Sequence, residues 1–267
     1  MMSKNLKALV KEKYSKIANQ SKTQNESSCC GGTGCCSESE ISMIGDEYNH
    51  VKGYHKNADL GLGCGLPTEF AGIKKGHHVL DLGSGAGNDC FVARSIVGEK
   101  GKVTGIDFTE AMTEKALVNN QKLGYPNVEF IQGDIEAMPL PDDSFDVVIS
   151  NCVLNLVPDK EKAFQEIYRV LKPGGHFCVS DVVLSGHLPE KIKQDAEMYA
   201  GCVSGALQKD DYLKIIQKNH FTDISIEKEK KIEIPNPILL KYLSMDELRK
   251  FKKERTGIYS ITVKAKK

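Results

Sequence analysis

Apolar residues recur along this chain at two periods, and the alternation between them outlines an α/β architecture. Between Lys4 and Ala18, Leu6, Val10, Tyr14 and Ile17 recur at helical spacing, which predicts an N-terminal helix whose charged residues face water. From Val79 onward, short apolar runs at 78–82, 102–107, 128–132, 145–150 and 175–182 are separated by longer amphipathic stretches. That is the sequence form of repeated βαβ units, so a mostly parallel sheet is expected with helices on both faces. Near the end, FTDISIEKEKKIEI and GIYSITVKAKK alternate apolar and polar positions, as an antiparallel pair at a sheet edge would. These complete an expected seven-stranded sheet. Residues 189–218 look helical and are expected to lie over the sheet's C-terminal edge as a cap.

Composition changes this picture at one place. Residues 20–40, QSKTQNESSCCGGTGCCSESE, are rich in serine, glycine and small polar groups and read as a flexible arm carrying Cys29, Cys30, Cys35 and Cys36. The expected organisation is therefore an N-terminal part, 1–58, of helix and cysteine-rich arm, followed by one domain over 59–267 with its cap around 186–220. A chain of 267 residues that is 40% hydrophobic can bury one substantial core. Lysine plus arginine (36) balances aspartate plus glutamate (36), and no basic run suggests a phosphate-backbone track, so nucleic acid is not an expected partner. The sequence contains no apolar stretch approaching the ~20 residues of a membrane span and no signal-like start, so a cytoplasmic protein is expected. An odd number of cysteines, nine, also fits a reducing compartment better than a secreted disulfide scaffold.

The first chemical motif is VLDLGSGAGND, in which an apolar strand delivers Asp81 at its tip and Gly83, Ser84, Gly85 and Gly87 form a turn opening a helix at FVARSIV. Glycines there let a ligand approach the backbone closely. The third position after Gly85 is Asn88, so the dinucleotide fingerprint is broken. An acid at the tip of the first strand would repel a pyrophosphate and suits a ligand with an ammonium group and no phosphate, the chemistry of S-adenosyl-L-methionine. Asp107, 26 residues further on at the end of the second strand, stands where such folds place a carboxylate on ribose hydroxyls. Asp134 and Ile135 would sit at the adenine edge, and Phe108, Met112 and Asn151 complete the expected cofactor-binding set. Each acid alone could equally be a helix cap or turn residue; it is their order at successive strand ends that points to a cofactor.

This combination, with LKPGG at 171–175 as the turn before the fifth strand, resembles the class I S-adenosylmethionine-dependent methyltransferases over about residues 67–185. The resemblance implies their Rossmann-like fold and places the methyl acceptor beyond the carboxyl ends of the strands. Three cysteines fall there: Cys152 directly after the fourth strand, Cys202 in YAGCVSGAL within the expected cap, and Cys64 in the glycine-rich ADLGLGCGLPTEF. Burial as a small apolar residue is the ordinary fate of a cysteine, and it fits Cys90 in a helix and Cys178 in a strand. Packing explains Cys64 and Cys202 less well, because Gly63, Gly65 and Gly201 beside them suggest a backbone bending around something.

The segments ADLGLGCGLPTEF, ISNCVLNLVPDK, GCVSGAL, IYSITVKAKK and VKEKYSKIA together resemble the arsenite methyltransferases nearly end to end. The resemblance implies that Cys64, Cys152 and Cys202 bind trivalent arsenic and carry the catalysis, with a further N-terminal cysteine, Cys35 or Cys36 among the arm thiols, as a possible fourth ligand in this chain. It implies methyl transfer from S-adenosylmethionine to arsenite or its thiol conjugates, in arsenic detoxification, with a thiol reductant such as thioredoxin or glutathione as partner. Vicinal Cys29-Cys30 and Cys35-Cys36 could relay arsenite or be an adventitious metal-binding tail; their spacing is not that of a structural zinc site. Two rival functions remain open on the sequence. One is methylation of a quinone- or sterol-like acceptor with a general base near His176, His187 or Tyr199; the other is soft-metal binding or sensing by the thiolate trio.

Overall fold

The computed structural model describes residues 2–20, 48–186, 205–233, 236–253 and 257–267. Its helices are α1 (Met2–Ala18), α2 (Pro67–Phe70), α3 (Asn88–Val97), α4 (Glu110–Leu123), α5 (Lys160–Val170), α6 (Lys209–Lys218), α7 (Asn236–Leu239) and α8 (Met245–Lys253). Its strands are β1 (His78–Leu82), β2 (Lys102–Asp107), β3 (Val128–Gln132), β4 (Phe145–Asn151), β5 (Leu171–Ser185), β6 (Thr222–Ile232) and β7 (Gly257–Lys266).

The seven strands form one sheet in the order β3-β2-β1-β4-β5-β7-β6. The first five pair in parallel, whereas β7 runs antiparallel to both β5 and β6. The sheet class expected from the alternating periods is thus observed, and β6 rather than β7 is the edge. Strand order reverses between β1 and β4, which opens a crevice beyond their carboxyl ends.

Both faces are covered, which is why the central strands are apolar at nearly every position. Because side chains alternate, Leu80, Val148, Phe177 and Val263 pack on one face with Phe164 and Ile167 of α5 and Tyr212 and Ile216 of α6. Val79, Val103, Val147 and Cys178 pack on the other with Phe91 and Val97 of α3, Met112 of α4 and Ala18 of α1.

Local chemistry sets the helix ends. The α5 N-cap is Asp159, whose carboxylate accepts from Lys162 N at 3.0 Å. Helix α4 stops at Gly124, which adopts the left-handed conformation at φ 67°.

Two expectations are corrected. LKPGG is not a separate turn: β5 begins at Leu171, paired to Phe145, and a register shift between Phe145 and Val147 absorbs Gly174 at φ 77° as a bulge within the strand. Of the segment expected as a cap, 189–218, residues 189–204 lie outside the described residues, and α6 packs with α5 on a face of the sheet rather than over its edge. Helices α7 and α8 were not anticipated. Among the described residues no helix is long and apolar enough to cross a membrane.

Candidate active site

A cleft, open at its mouth, lies beyond the carboxyl ends of β1, β2 and β4. Asp81, Gly83, Ser84, Gly85, Asp107, Phe108, Met112, Ile135, Asn151 and Cys152 line it. The β-strand ends deliver Asp81, Asp107 and Asn151, and the turn after β1 supplies the glycine floor. Gly83 stands at φ 63°, and a Cβ there would come within 2.5 Å of both methyl carbons of Val153, so a side chain is doubly excluded. Both oxygens of Asp107 are engaged, one by Gly85 N at 3.0 Å and the other by Thr109 N at 2.8 Å, which fixes the carboxylate.

Two residues expected at the cofactor are not among those lining the cleft. Gly87 is the left-handed N-cap of α3, φ 95°, and a Cβ there would be 2.8 Å from Phe130 and 2.9 Å from Phe91. Its service is close packing of α3 on the sheet. Asp134 instead pairs with Lys7 of α1 at 2.6 Å and accepts from Glu136 N at 3.0 Å. Lys7 also pairs with Glu136, which anchors α1 across the molecule.

Several lining residues were not singled out from sequence: Tyr14 of α1, Tyr48, Asp59, Asp89 and Thr109. Asp89 sits in the first turn of α3, directly after the glycine turn. An acid there is the ordinary complement of a helix N-terminus, so its sequence position carried no special signal.

The wall electrostatics are one-sided. Asp59, Asp81, Asp89 and Asp107 all line the cleft, and among the described residues no Lys, Arg or His does. Burial, and then the neighbouring charge of Asp89, holds the Asp81 carboxyl well above its usual value. Burial pushes Asp89 up to about 6 against the hydrogen bonds from Asn151 and Tyr48 that pull it down. Asp107 is raised by burial and partly restored by its backbone donors. Buried like charges without a counter-ion favour a cationic ligand, which relieves both desolvation and repulsion.

Asn151, the residue before Cys152, holds the backbone of the Cys64 loop. Its Oδ1 accepts from Cys64 N at 3.0 Å and Gly65 N at 3.3 Å, while its Nδ2 donates to Gly65 O at 2.8 Å. A Cβ on Gly63 would stand 2.7 Å from Asn151 Nδ2, and one on Gly65 2.6 Å from Ser180 Oγ. The glycines flanking Cys64 therefore make room for Asn151 and Ser180 of the protein itself. Cys64 and Cys152 are both buried in one apolar cluster with Val182, Leu184, Leu239, Leu248 and Ile258. Cys152 adopts φ 61°, a left-handed conformation costly for a residue with a Cβ, and its N donates to Ser180 O at 2.7 Å.

Cys90 and Cys178 are fully buried as expected, and the Cys90 thiol donates to Asp81 Oδ2 at 3.2 Å. Burial pushes the Cys178 thiol up to about 12. His176 faces Lys266 and Val147 at the amino end of β5, away from the cleft, and its Nε2 contacts Ala71 O, so it is not placed as a base there. Cys29, Cys30, Cys35, Cys36, His187, Tyr199 and Cys202 lie outside the described residues.

The sheet order, the glycine turn and the carboxylate at the tip of β2 define a methyltransferase domain, and a family model for that domain matches residues 73–220. An arsenite methyltransferase of Halobacterium salinarum is 42% identical over 230 residues, 82% of this chain and 58% of that protein. The mouse arsenite methyltransferase is 46% identical over 170 residues, 60% of this chain and 44% of the relative. The crystal structure of an arsenic(III) S-adenosylmethionine methyltransferase from Chlamydomonas reinhardtii aligns with TM-score 0.65 and 39% identity, covering 85% of this chain and 72% of that one. The chain belongs to the arsenite methyltransferase family. It spans about half the length of the curated relatives it matches.

Proposed function

We propose that this protein transfers a methyl group from S-adenosylmethionine to thiolate-bound trivalent arsenic. The observation that carries this reading is the juxtaposition of two buried cysteines with an acid-lined cleft: Cys152 lines the cleft, and Cys64 follows Leu62 and Gly63, which line it too.

The cleft fits the donor. Four carboxylates suit a ligand carrying an ammonium and a sulfonium charge, and the fixed Asp107 can accept from ribose hydroxyls while Ile135 and Met112 offer apolar contact to the adenine. When bound, S-adenosylmethionine supplies an electrophilic methyl group.

Trivalent arsenic is soft and prefers thiolates. Held by Cys64, Cys152 and Cys202, it keeps a lone pair opposite its sulfur ligands, and that lone pair is the nucleophile. No proton leaves the acceptor, so no general base is required. The protein's contribution is alignment, and the apolar cluster around the thiols keeps water from competing.

The decisive test is incubation with arsenite, S-adenosylmethionine and a thiol, followed by arsenic speciation. Methylated arsenic supports the reading; no product overturns it in favour of an organic acceptor, and bound unmodified arsenic overturns it in favour of a sensor or buffer.

Methylation formally oxidises arsenic by two electrons, so a further round requires a reductant. Oxidation of two thiols to a disulfide involving Cys64 or an arm cysteine would supply the two electrons, and a thioredoxin- or glutathione-type thiol would then reduce that disulfide. Mass mapping after a single turnover should find that disulfide; thiols that all remain reduced would argue against it. If the arm relays arsenite, deleting residues 20–40 raises the arsenite concentration needed for half-maximal rate, and an unchanged value marks it as a bland tail.

A further inference from the structure

Asp89 has two sets of neighbours. On one side it lines the donor cleft, beside Asp59 and Asp81. On the other it accepts from Tyr48 Oη at 2.8 and 3.0 Å and from Asn151 Nδ2 at 3.1 Å. Asn151 Nδ2 also donates to Tyr48 Oη at 2.6 Å, so the three side chains close a ring of hydrogen bonds. The far side of that ring is the Cys64–Gly65 backbone, because Asn151 holds both of its amide N–H groups and Tyr48 Oη lies 3.3 Å from Gly65 O. Tyr48 is 7% exposed and Cys64 2%, whereas Asp89 and Asn151 are half-buried at the cleft.

The ring is thus a short connection between the place where a cationic donor would lie and the loop that carries an acceptor thiol. Hydrogen bonds to a charged acceptor are shorter and stronger than neutral ones, and a low local dielectric strengthens them further. A cation set against Asp89 keeps the carboxylate charged, which tightens its hold on Tyr48 and Asn151, and through them the loop. The same ring works in reverse: a loop locked by a bound metalloid fixes Asn151 and so pre-orients Asp89 toward the cleft. Such coupling between two sites is reciprocal by thermodynamic necessity.

We propose that Asp89, acting through Tyr48 and Asn151, is a positioning residue that couples occupancy of the donor cleft to the placement of the Cys64–Gly65 loop. The structural part needs only a cationic nucleoside ligand in the cleft; the catalytic part rests on arsenite methylation as proposed above.

Tyr48→Phe removes one hydroxyl from the ring and leaves the cleft acids in place. Two readouts apply to the full-length protein. The first is amide exchange over residues 61–66 with and without S-adenosylhomocysteine, which involves no arsenic. The second is the dissociation constant of phenylarsine oxide, a trivalent arsenic probe, measured with and without S-adenosylhomocysteine.

In the unmodified protein, S-adenosylhomocysteine should slow exchange at Cys64 and Gly65 and tighten probe binding about fivefold or more. In Tyr48→Phe both responses should disappear at saturating S-adenosylhomocysteine while the melting temperature is retained, a split that a general loss of structure does not produce. Equal responses in the two proteins overturn the proposal. Should Tyr48→Phe melt below the assay temperature, Asn151→Ser reads the same coupling, and a retained response there also overturns it. Failure of arsenite methylation in the unmodified protein would sink the proposed reaction but leave the exchange experiment able to decide the coupling.

Discussion

Cys152 shows how much one residue's backbone can reveal. A left-handed conformation costs a residue with a Cβ about 1–2 kcal/mol relative to glycine, yet a thiol occupies φ 61° here. The strain aims the side chain off the tip of β4 into the cleft. Cys152→Ser keeps the volume and conformation but removes the soft ligand; it should lower arsenite methylation at least about 100-fold while S-adenosylhomocysteine affinity, read by calorimetry, changes by less than about twofold. Asp89 gives a pH dependence. Its folded-state pKa is about 6, raised by burial, so below that pH it becomes neutral and loses its attraction for a cation. Affinity for S-adenosylmethionine should therefore be full above pH 7 and weaken as pH falls through 6, about tenfold by pH 5, as titration calorimetry would record. A constant affinity over that range would remove Asp89 from the cation site. At this scale the sequence was legible where a motif fixes a strand tip, as at Asp81 and Asp107. It was silent on Asp89 and Tyr48, whose partners lie far away in the chain.

At the scale of elements, the helices do more than cover the sheet. Helix α1 contributes Tyr14 to the cleft wall and is tied to the body by Lys7 on Asp134 and Glu136 and by Lys115 Nζ on Ala18 O at 2.7 Å. Lys7→Met should loosen α1 and weaken S-adenosylmethionine binding about fivefold, the equivalent of about 1 kcal/mol, with the sheet's circular dichroism unchanged. Undiminished affinity would mean that α1 is only a surface strut. The pairing also gives Asp134 a neighbour that was not read from sequence. Its position after β3 predicts a cofactor acid, but a lysine 127 positions earlier competes for it, and no periodicity announces that partner. The glycines beside Cys64 are a parallel case. Their presence announces a close approach, but only packing shows that Asn151 and Ser180 make it.

The whole molecule carries its own pH signature through Asp181, buried on β5 with Tyr212 Oη donating to it at 3.2 Å. Burial raises its pKa to about 7 in the folded chain, from near 3.8 when exposed. Between those values the folded state keeps a proton that the unfolded state gives up, so stability falls as pH rises from about 4 to 7 and levels off above. Asp181→Asn should flatten that part of the stability curve, by at most on the order of 4 kcal/mol across the window, measurable as denaturation midpoints at pH 5 and pH 8. An unchanged slope would place the titration elsewhere.

Alone, the sequence determined the strands, the parallel sheet with its antiparallel end, the glycine turn and the acids at β1 and β2, because periodicity and strand-tip motifs are local. Only the tertiary structure decided that Asn151 clamps the Cys64 loop, that α7 and α8 contribute Leu239 and Leu248 to the cluster around Cys64 and Cys152, and that four carboxylates meet in one cleft. Those features come from contacts between residues distant in sequence, whose burial and hydrogen bonding exist only once the sheet has brought them together.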